Sequence, residues 1–516
     1  MAGLDYTSRS VPISDQILNG GLNSTAGALG LQNNEASDIQ NIDFNKFGSI
    51  LKRNGYTALN TATVNSAADI NGLFWFEYVN TGTLTRKAVT VAGDKCFRMD
   101  GLDGTWDDIT SSISITTGFH VDSATFQNRL HMTNGNDVPF NWDGANNTGL
   151  AASEIPSGLT TAKFVELYNN HLFLGNVTVS GTVHNSRIYW SNIKDAKTWT
   201  ATDFIDIAQN DGQEIQGLKV LGDRLVVYKD RSIYNVFFTG DVDIPFILPS
   251  GGKSNSQVGC AAPFSIQNVD NGQVFLSQDG FYFYDGFNSF KLSDRITTTL
   301  DGMDDTKYPK AVSLVQKNKN RYLCALTTSG SSENDKVVVW DYFNNAWSIY
   351  DGLDPSSMAT FYVSGTEERP YWGDYSGFVY RSDVGTSDNP LNVSTLIDGF
   401  YWTNWKHYDD LVDKKGVAHL VLYHQISSTT LTLAYSYDFD TSAQYSQAFS
   451  IGTSSDLYGS ASYDEATYAQ TGGDIKRRDL PLGRGRVVRF KFANNILDEA
   501  FQIDGFGTMA HVETVE

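Results

Sequence analysis

Residues 264–294, FSIQNVDNGQVFLSQDGFYFYDGFNSFKLSD, decide the fold. Val274-Phe275-Leu276 and Phe281-Tyr282-Phe283-Tyr284 are aromatic and β-branched runs flanking Asp279-Gly280, a pair that tolerates the positive φ angles of a tight hairpin turn. Asp285-Gly286 then leads into Phe290-Lys291-Leu292, so the stretch predicts a three-stranded antiparallel meander. A small sheet with apolar residues on both faces is unstable alone and needs neighbours to cover it.

The chain supplies diverged copies. The same slot, a polar residue followed by an apolar run, recurs at Asn128-Arg129-Leu130, Asn170-His171-Leu172, Asp223-Arg224-Leu225, Asn271-Gly272-Gln273-Val274 and Asn320-Arg321-Tyr322. Looser matches sit at Lys87-Ala88-Val89 and Arg369-Pro370-Tyr371-Trp372. Successive markers, Lys87, Arg129, His171, Arg224, Gln273, Arg321 and Arg369, lie 42 to 53 residues apart. That period, with strand and turn signals and no helix pattern, predicts radially repeated sheets, a β-propeller of six or seven blades. The count is six if the first and last matches combine into one blade closed by strands from both ends. Units end on aromatics before a turn, as in Phe140-Asn141-Trp142, Ile188-Tyr189-Trp190, Ser232-Ile233-Tyr234, Val339-Trp340 and Phe378-Val379-Tyr380, and these are expected to pack between blades.

Around this centre the all-β chain divides in three. Residues 1–65 are rich in Gly and Asn at their bends and read as an arm that docks on the body. Residues 66–385 carry the propeller. From 386 the period disappears, and 419–424, 431–437, 487–492 and 501–506 alternate apolar and polar residues, the pattern of a C-terminal β-sandwich. Ser442 to Gly473, rich in Ser, Tyr, Ala and Gly, reads as a long hairpin or loop.

The 516 residues carry 38 basic and 59 acidic side chains, a net charge of −21, which opposes binding to nucleic acid or anionic membranes. The start has no basic-then-apolar export signal, and no run approaches the roughly 18 apolar residues of a membrane span. Cys96, Cys260 and Cys324 are too few and too dispersed for a disulfide framework and read as buried small hydrophobes.

Gly20-Gly21-Leu22-Asn23, then Asn34-Glu35, then Asn41 ahead of Gly48-Ser49-Ile50-Leu51-Lys52-Arg53-Asn54-Gly55, resembles the packaged-DNA stabilisation, or tail hub and nozzle, proteins of short-tailed phages. The resemblance continues through Ser186-Arg187-Ile188-Tyr189-Trp190-Ser191 with Trp199 and Phe204, through 276–286, and through 400–440. It implies a virion tail protein, assembled in the host cytoplasm as a homo-oligomeric ring, commonly a hexamer, under the portal-adaptor and beside other tail proteins. Such a ring retains packaged double-stranded DNA and lets it pass on ejection. The family carries no catalytic residues, and neither cofactor nor metal is expected.

For that role a conduit should not bind its cargo, since each basic side chain on a phosphate adds affinity that sliding must undo. Asp103, Asp107, Asp108, Asp241, Asp243, Asp301, Asp304 and Asp305 are, as a group, candidates for an acidic lumen; an ordinary solvated surface is the other reading of each. Lys476, Arg477 and Arg478, continued by Arg484, Arg486, Arg489 and Lys491, form a basic cluster. It is a candidate contact with a neighbouring subunit or adaptor, a grip on DNA near the exit, or a solvated strand edge.

The competing class is a glycan-binding or glycan-cleaving propeller. Asp195 and Trp199 fit the turn of sialidase propellers in which Asp caps a hairpin and Trp packs beneath it, but that turn is structural even there. No HExxH spacing occurs among the eight histidines, and His419 and His424, five apart in one expected strand, face opposite sides. Asp438-Phe439-Asp440 and 301–305 lack an EF-hand register, and Gly251-Gly252-Lys253-Ser254 lacks the leading glycine of a phosphate loop.

Overall fold

The structure is a computed structural model and describes residues 8–15, 17–250, 252–363, 367–424, 429–451, 474–480 and 483–513. Seven four-stranded antiparallel sheets follow one another along the chain, at 70–108, 122–152, 159–206, 215–247, 267–291, 312–351 and 357–382. The seventh has three strands of its own and takes its fourth, Tyr56–Ala58, from the N-terminal segment, with Tyr380 opposite Ala58 and Ser382 opposite Tyr56. The seven repeat markers all fall in the second strand of their sheets, and the closing aromatics in the third. The first strands of neighbouring sheets pack together, that of the fourth meeting Pro263–Ser265 ahead of the fifth, and the first strand of the seventh, Ser357–Tyr362, packs on that of the first, Ile70–Asn80. The arrangement is propeller-like.

The stretch 264–294 has one strand more than its sequence predicts. Gln267–Val269 turns through Asp270 and Asn271 and pairs with Gly272–Ser277, ahead of Gly280–Tyr284 and Ser289–Lys291. Three residues with one apolar anchor give little periodicity, so the strand escapes pattern reading; Asp270, at φ 48°, supplies the tight turn. Gly280 has φ +133°, and a Cβ there would lie 2.3 Å from Ser293 Oγ, which accepts the Phe281 N–H at 3.0 Å. Only glycine fits.

The closing aromatics pack in two ways. Trp142 meets Phe76, Trp190 meets Phe246 and Tyr284 meets Tyr228 across neighbouring sheets, with centroids 5.8, 5.2 and 6.3 Å apart. Tyr380 stacks within its own sheet on Trp372 at 4.3 Å. In the fifth and sixth sheets, Phe281 reaches Trp347 at 5.3 Å, and Trp347 stacks on Trp340.

Two six-stranded sheets follow. One joins Lys414–His424, Asp474–Asp479 and Gln502–Glu513 to Ser8–Asp15, Ile42–Phe44 and Ile50–Lys52. The other joins Gly399–Thr403, Thr429–Tyr437, Tyr445–Ile451 and Val488–Asn494 to Gly21–Leu22 and Glu35–Gln40. Their inner faces meet where Phe506 contacts Phe490 at 5.8 Å and Phe492 at 5.2 Å. The region expected as a long hairpin or loop from 442 contains the strand Tyr445–Ile451; 452–473 lie outside the described residues.

Residues 8–58 therefore stitch the molecule together, since their strands enter both six-stranded sheets and the seventh four-stranded one. One apolar core runs from Leu276, Phe281 and Trp347 through Leu22 and Ile39 to Tyr401 and Phe490. Two buried ion pairs lie along the same seam. Arg53 holds both carboxylate oxygens of Asp388 at 2.8 and 2.7 Å, and donates to Asn41 Oδ1 at 2.8 Å. Asp43 pairs with Arg321 of the sixth sheet at 2.8 Å and accepts from the Tyr350 hydroxyl.

Candidate functional site

The first strands surround an axial cavity of about 200 Å³. Each of the seven sheets or the segment leading into it contributes to the wall, among them Asn71, His120, Phe164, Lys219, Gln267, Ser313 and Met358. Lining residues come from the beginnings of the first strands, or just before them, in the first, second, fifth, sixth and seventh sheets, and from the middle of the first strands in the third and fourth. Close approach is built in: at Gly217, a Cβ would sit 2.3 Å from the Ile266 side chain.

The wall is divided chemically. Phe74, Phe264, Met358 and His120, whose ring lies 5.1 Å from that of Phe264, form an apolar part. Burial pushes the His120 imidazole down to about 4, against a hydrogen bond with the Asn71 backbone that favours its charge, so the ring is neutral at pH 7. The polar part holds Asp122, Lys219, Gln267 and Ser313. Asp122 accepts the Val165 N–H at 3.0 Å and the Ser123 N–H at 2.9 Å. Burial pushes its carboxyl up to about 7 despite these bonds and the Lys219 charge. Lys219 stands 3.9 Å from Glu166, whose carboxyl burial also raises. Ser313 donates to the Phe264 carbonyl at 2.8 Å, and Gln267 to the Ser313 carbonyl at 3.0 Å.

The eight acidic candidates do not share one face. Chain direction reverses at each strand, so connections between first and second and between third and fourth strands lie at one end of the axis, and all others at the opposite end. Asp103, Asp241 and Asp243 occupy third-to-fourth connections; Asp301, Asp304 and Asp305 lie between the fifth and sixth sheets, at the other end; Asp107 and Asp108 are on an outermost strand. Most have local work. Asp107 pairs with Arg98 and Asp108 with Lys95, at 2.9 and 2.8 Å. Asp304 pairs with Lys307 at 3.0 Å, and Asp305 accepts from Gln278 at 3.1 Å. Asp103 accepts the Thr105 N–H and Asp241 the Asp243 N–H, each closing a turn.

The basic cluster is also dispersed. Lys476, Arg477 and Arg478 lie on Asp474–Asp479, whose backbone pairs with 419–424 in the first six-stranded sheet. Arg489 and Lys491 lie on the other sheet, Arg489 over Trp402 and Trp405 at 4.3 and 4.7 Å and Lys491 over Phe400 at 4.1 Å. Arg484 and Arg486 precede that strand and are exposed; Arg486 donates to the Val412 carbonyl at 3.2 Å. Asp195 accepts from Lys197 N–H at 2.9 Å and from the Thr198 hydroxyl at 2.7 Å, while Trp199 donates to Ala196 O at 3.0 Å: a self-contained turn. Among the described residues no group of three or more His, Cys, Asp or Glu is placed to hold a metal ion, and no helix is long and apolar enough to cross a membrane.

The fold defines a class, propeller-like and nearly all β. No family model matches the chain, and no curated protein matches it. Solved structures with a similar fold include the WD40 β-propeller domain of Doa1, at 13% identity over 64% of this chain and 96% of that one with a TM-score of 0.38. Another is YCF48 from Cyanidioschyzon merolae, at 10% identity, 64% and 98% coverage and a TM-score of 0.40. The computationally designed Ika8 protein matches at 12% identity over 64% of this chain and all of its own, with a TM-score of 0.37.

Proposed function

We propose that the chain is a non-catalytic assembly subunit of a short-tailed phage tail, a hub or nozzle protein, built as one seven-bladed propeller and a C-terminal β-sandwich. Copies form a ring, a hexamer in this reading, under the portal-adaptor, where it retains packaged DNA and forms the ejection channel. The observation that supports an assembling role is a row of apolar tips at one end of the axis. Ile193, Val242, Ile244, Phe287 and Phe343 are 56, 95, 60, 61 and 60% exposed, and all sit in the third-to-fourth connections of four consecutive sheets. Protruding apolar side chains gathered on one face mark a surface that is covered in an assembly. A second copy or the adaptor is the cover here. The DNA path lies between copies, because a 200 Å³ axial cavity cannot admit a duplex whose grooves alone are about 12 and 6 Å wide.

The test is the native mass of the purified chain with and without upstream tail proteins, followed by particle imaging. A closed ring with an axial channel that docks on the adaptor is expected, and Val242→Asp with Phe287→Asp should open it while leaving each subunit folded. A stable monomer that ignores tail proteins would overturn the reading.

A further inference from the structure

We propose that the axial cavity is a binding site for a small organic cation, a primary alkyl- or arylammonium, held by Asp122 against an aromatic wall. The inference is independent of the tail assignment. It starts from an imbalance of charge. Of the three charged side chains grouped on the second, third and fourth sheets, Glu166 and Lys219 face each other at 3.9 Å, whereas Asp122 is within ion-pair distance of no cation among the described residues and feels the Lys219 charge only from further off. Its oxygens are met by two backbone N–H groups, from Ser123 and Val165, and a carboxylate has about four lone-pair sites. Asp122 lines the cavity, where a counter-ion would offset the cost of burying the charge.

The rest of the wall selects what that counter-ion is. Phe74, Phe264 and the neutral His120 ring line the cavity, and a cation over an aromatic face is stabilised by the ring quadrupole. The space, about 200 Å³, exceeds the roughly 150 Å³ known to take a benzene-sized molecule. The carboxyl set by burial to about 7 is ionised above neutrality, and bound cation would lower it.

Calorimetric titration of the full chain at about pH 8, where Asp122 is ionised, decides the matter, with benzylammonium as probe and benzyl alcohol as its neutral isostere. Saturable one-to-one binding of benzylammonium is expected, at least roughly tenfold tighter than the alcohol. Asp122→Asn should reduce the amine to the level of the alcohol, and Met358→Trp, which fills the cavity, should abolish both. Near-ultraviolet circular dichroism reports folding of each variant; if Asp122→Asn fails to fold, the amine-to-alcohol ratio and Met358→Trp still decide. Equal affinity for both probes, absence of saturation up to ~10 mM, or undiminished binding to Met358→Trp overturns the proposal.

Discussion

His131 shows how the interior responds to pH. It lies 4% exposed in the second strand of the second sheet, and burial, helped by the Arg129 charge, pushes its imidazole down to about 4, with the Phe126 backbone opposing. The unfolded chain takes up the proton near pH 6.5, the folded chain only near 4. Stability held above 6.5 is therefore lost as pH falls through this window. His131→Leu should be close to wild type at pH 7 and progressively more stable than it toward pH 4, by on the order of 2 kcal/mol in urea titrations. Parallel acid limbs for the two proteins would show that His131 is not the group responsible. The axial residues illustrate what a single sequence hides. Asn71, His120 and Ser313 stand at the beginnings of first strands or just before them and Lys219 within one, whereas the repeat signal belongs to second and third strands. Inner strands share a position and not a residue type, so nothing in their pattern announces a common wall. The acidic candidates were legible as residues of turns and strand ends, but which end of the axis each occupies depends on counting strands.

At the scale of elements, the closing strand Tyr56–Ala58 carries the most consequence per residue. Tyr56 meets Trp372 and Tyr380 edge-on, with centroids 5.1 and 5.2 Å away, and is 7% exposed. Without it the third strand of the seventh sheet, Val379–Ser382, becomes an open edge. Tyr56→Ala should cost about 3–5 kcal/mol and open a protease-sensitive site within 59–69, whereas wild type resists cleavage there. Retained resistance would mean that the neighbouring contacts alone hold the strand. The element pattern itself was largely readable: polar residue, apolar run, turn and aromatic recur because each second and third strand is buried on both faces and must be bounded by turn residues. The short outer strands, such as Asp107–Asp108 and Ala151–Ala152, carry no periodicity and were not. The N-terminal strands show the same limit, since two or three residues suffice when another sheet supplies the register.

For the whole molecule, the decisive feature is that residues 8–58 join the six-stranded sheets to the four-stranded ones. Strands from this segment lie in both six-stranded sheets, and Asp43, from one of them, is buried against Arg321 and Tyr350 of the sixth four-stranded sheet. An apolar core continuous from Phe281 to Phe490 crosses the same seam. Opening either region exposes this shared core, the largest of the buried clusters; the four-stranded sheets keep smaller ones, as around Trp142 and Phe173. Calorimetry of the intact chain should therefore give one transition. Tryptophan signals from Trp142, among the four-stranded sheets, and from Trp402, in a six-stranded one, should change at the same temperature. Asp43→Ala leaves the Arg321 guanidinium buried without its carboxylate, which costs about 3–5 kcal/mol. The loss should lower the single transition as a whole, because the residue removed is shared. Two resolved transitions in the wild-type chain, or a shift confined to the Trp142 signal in Asp43→Ala, would show instead that the segment is only a tether between parts that fold separately.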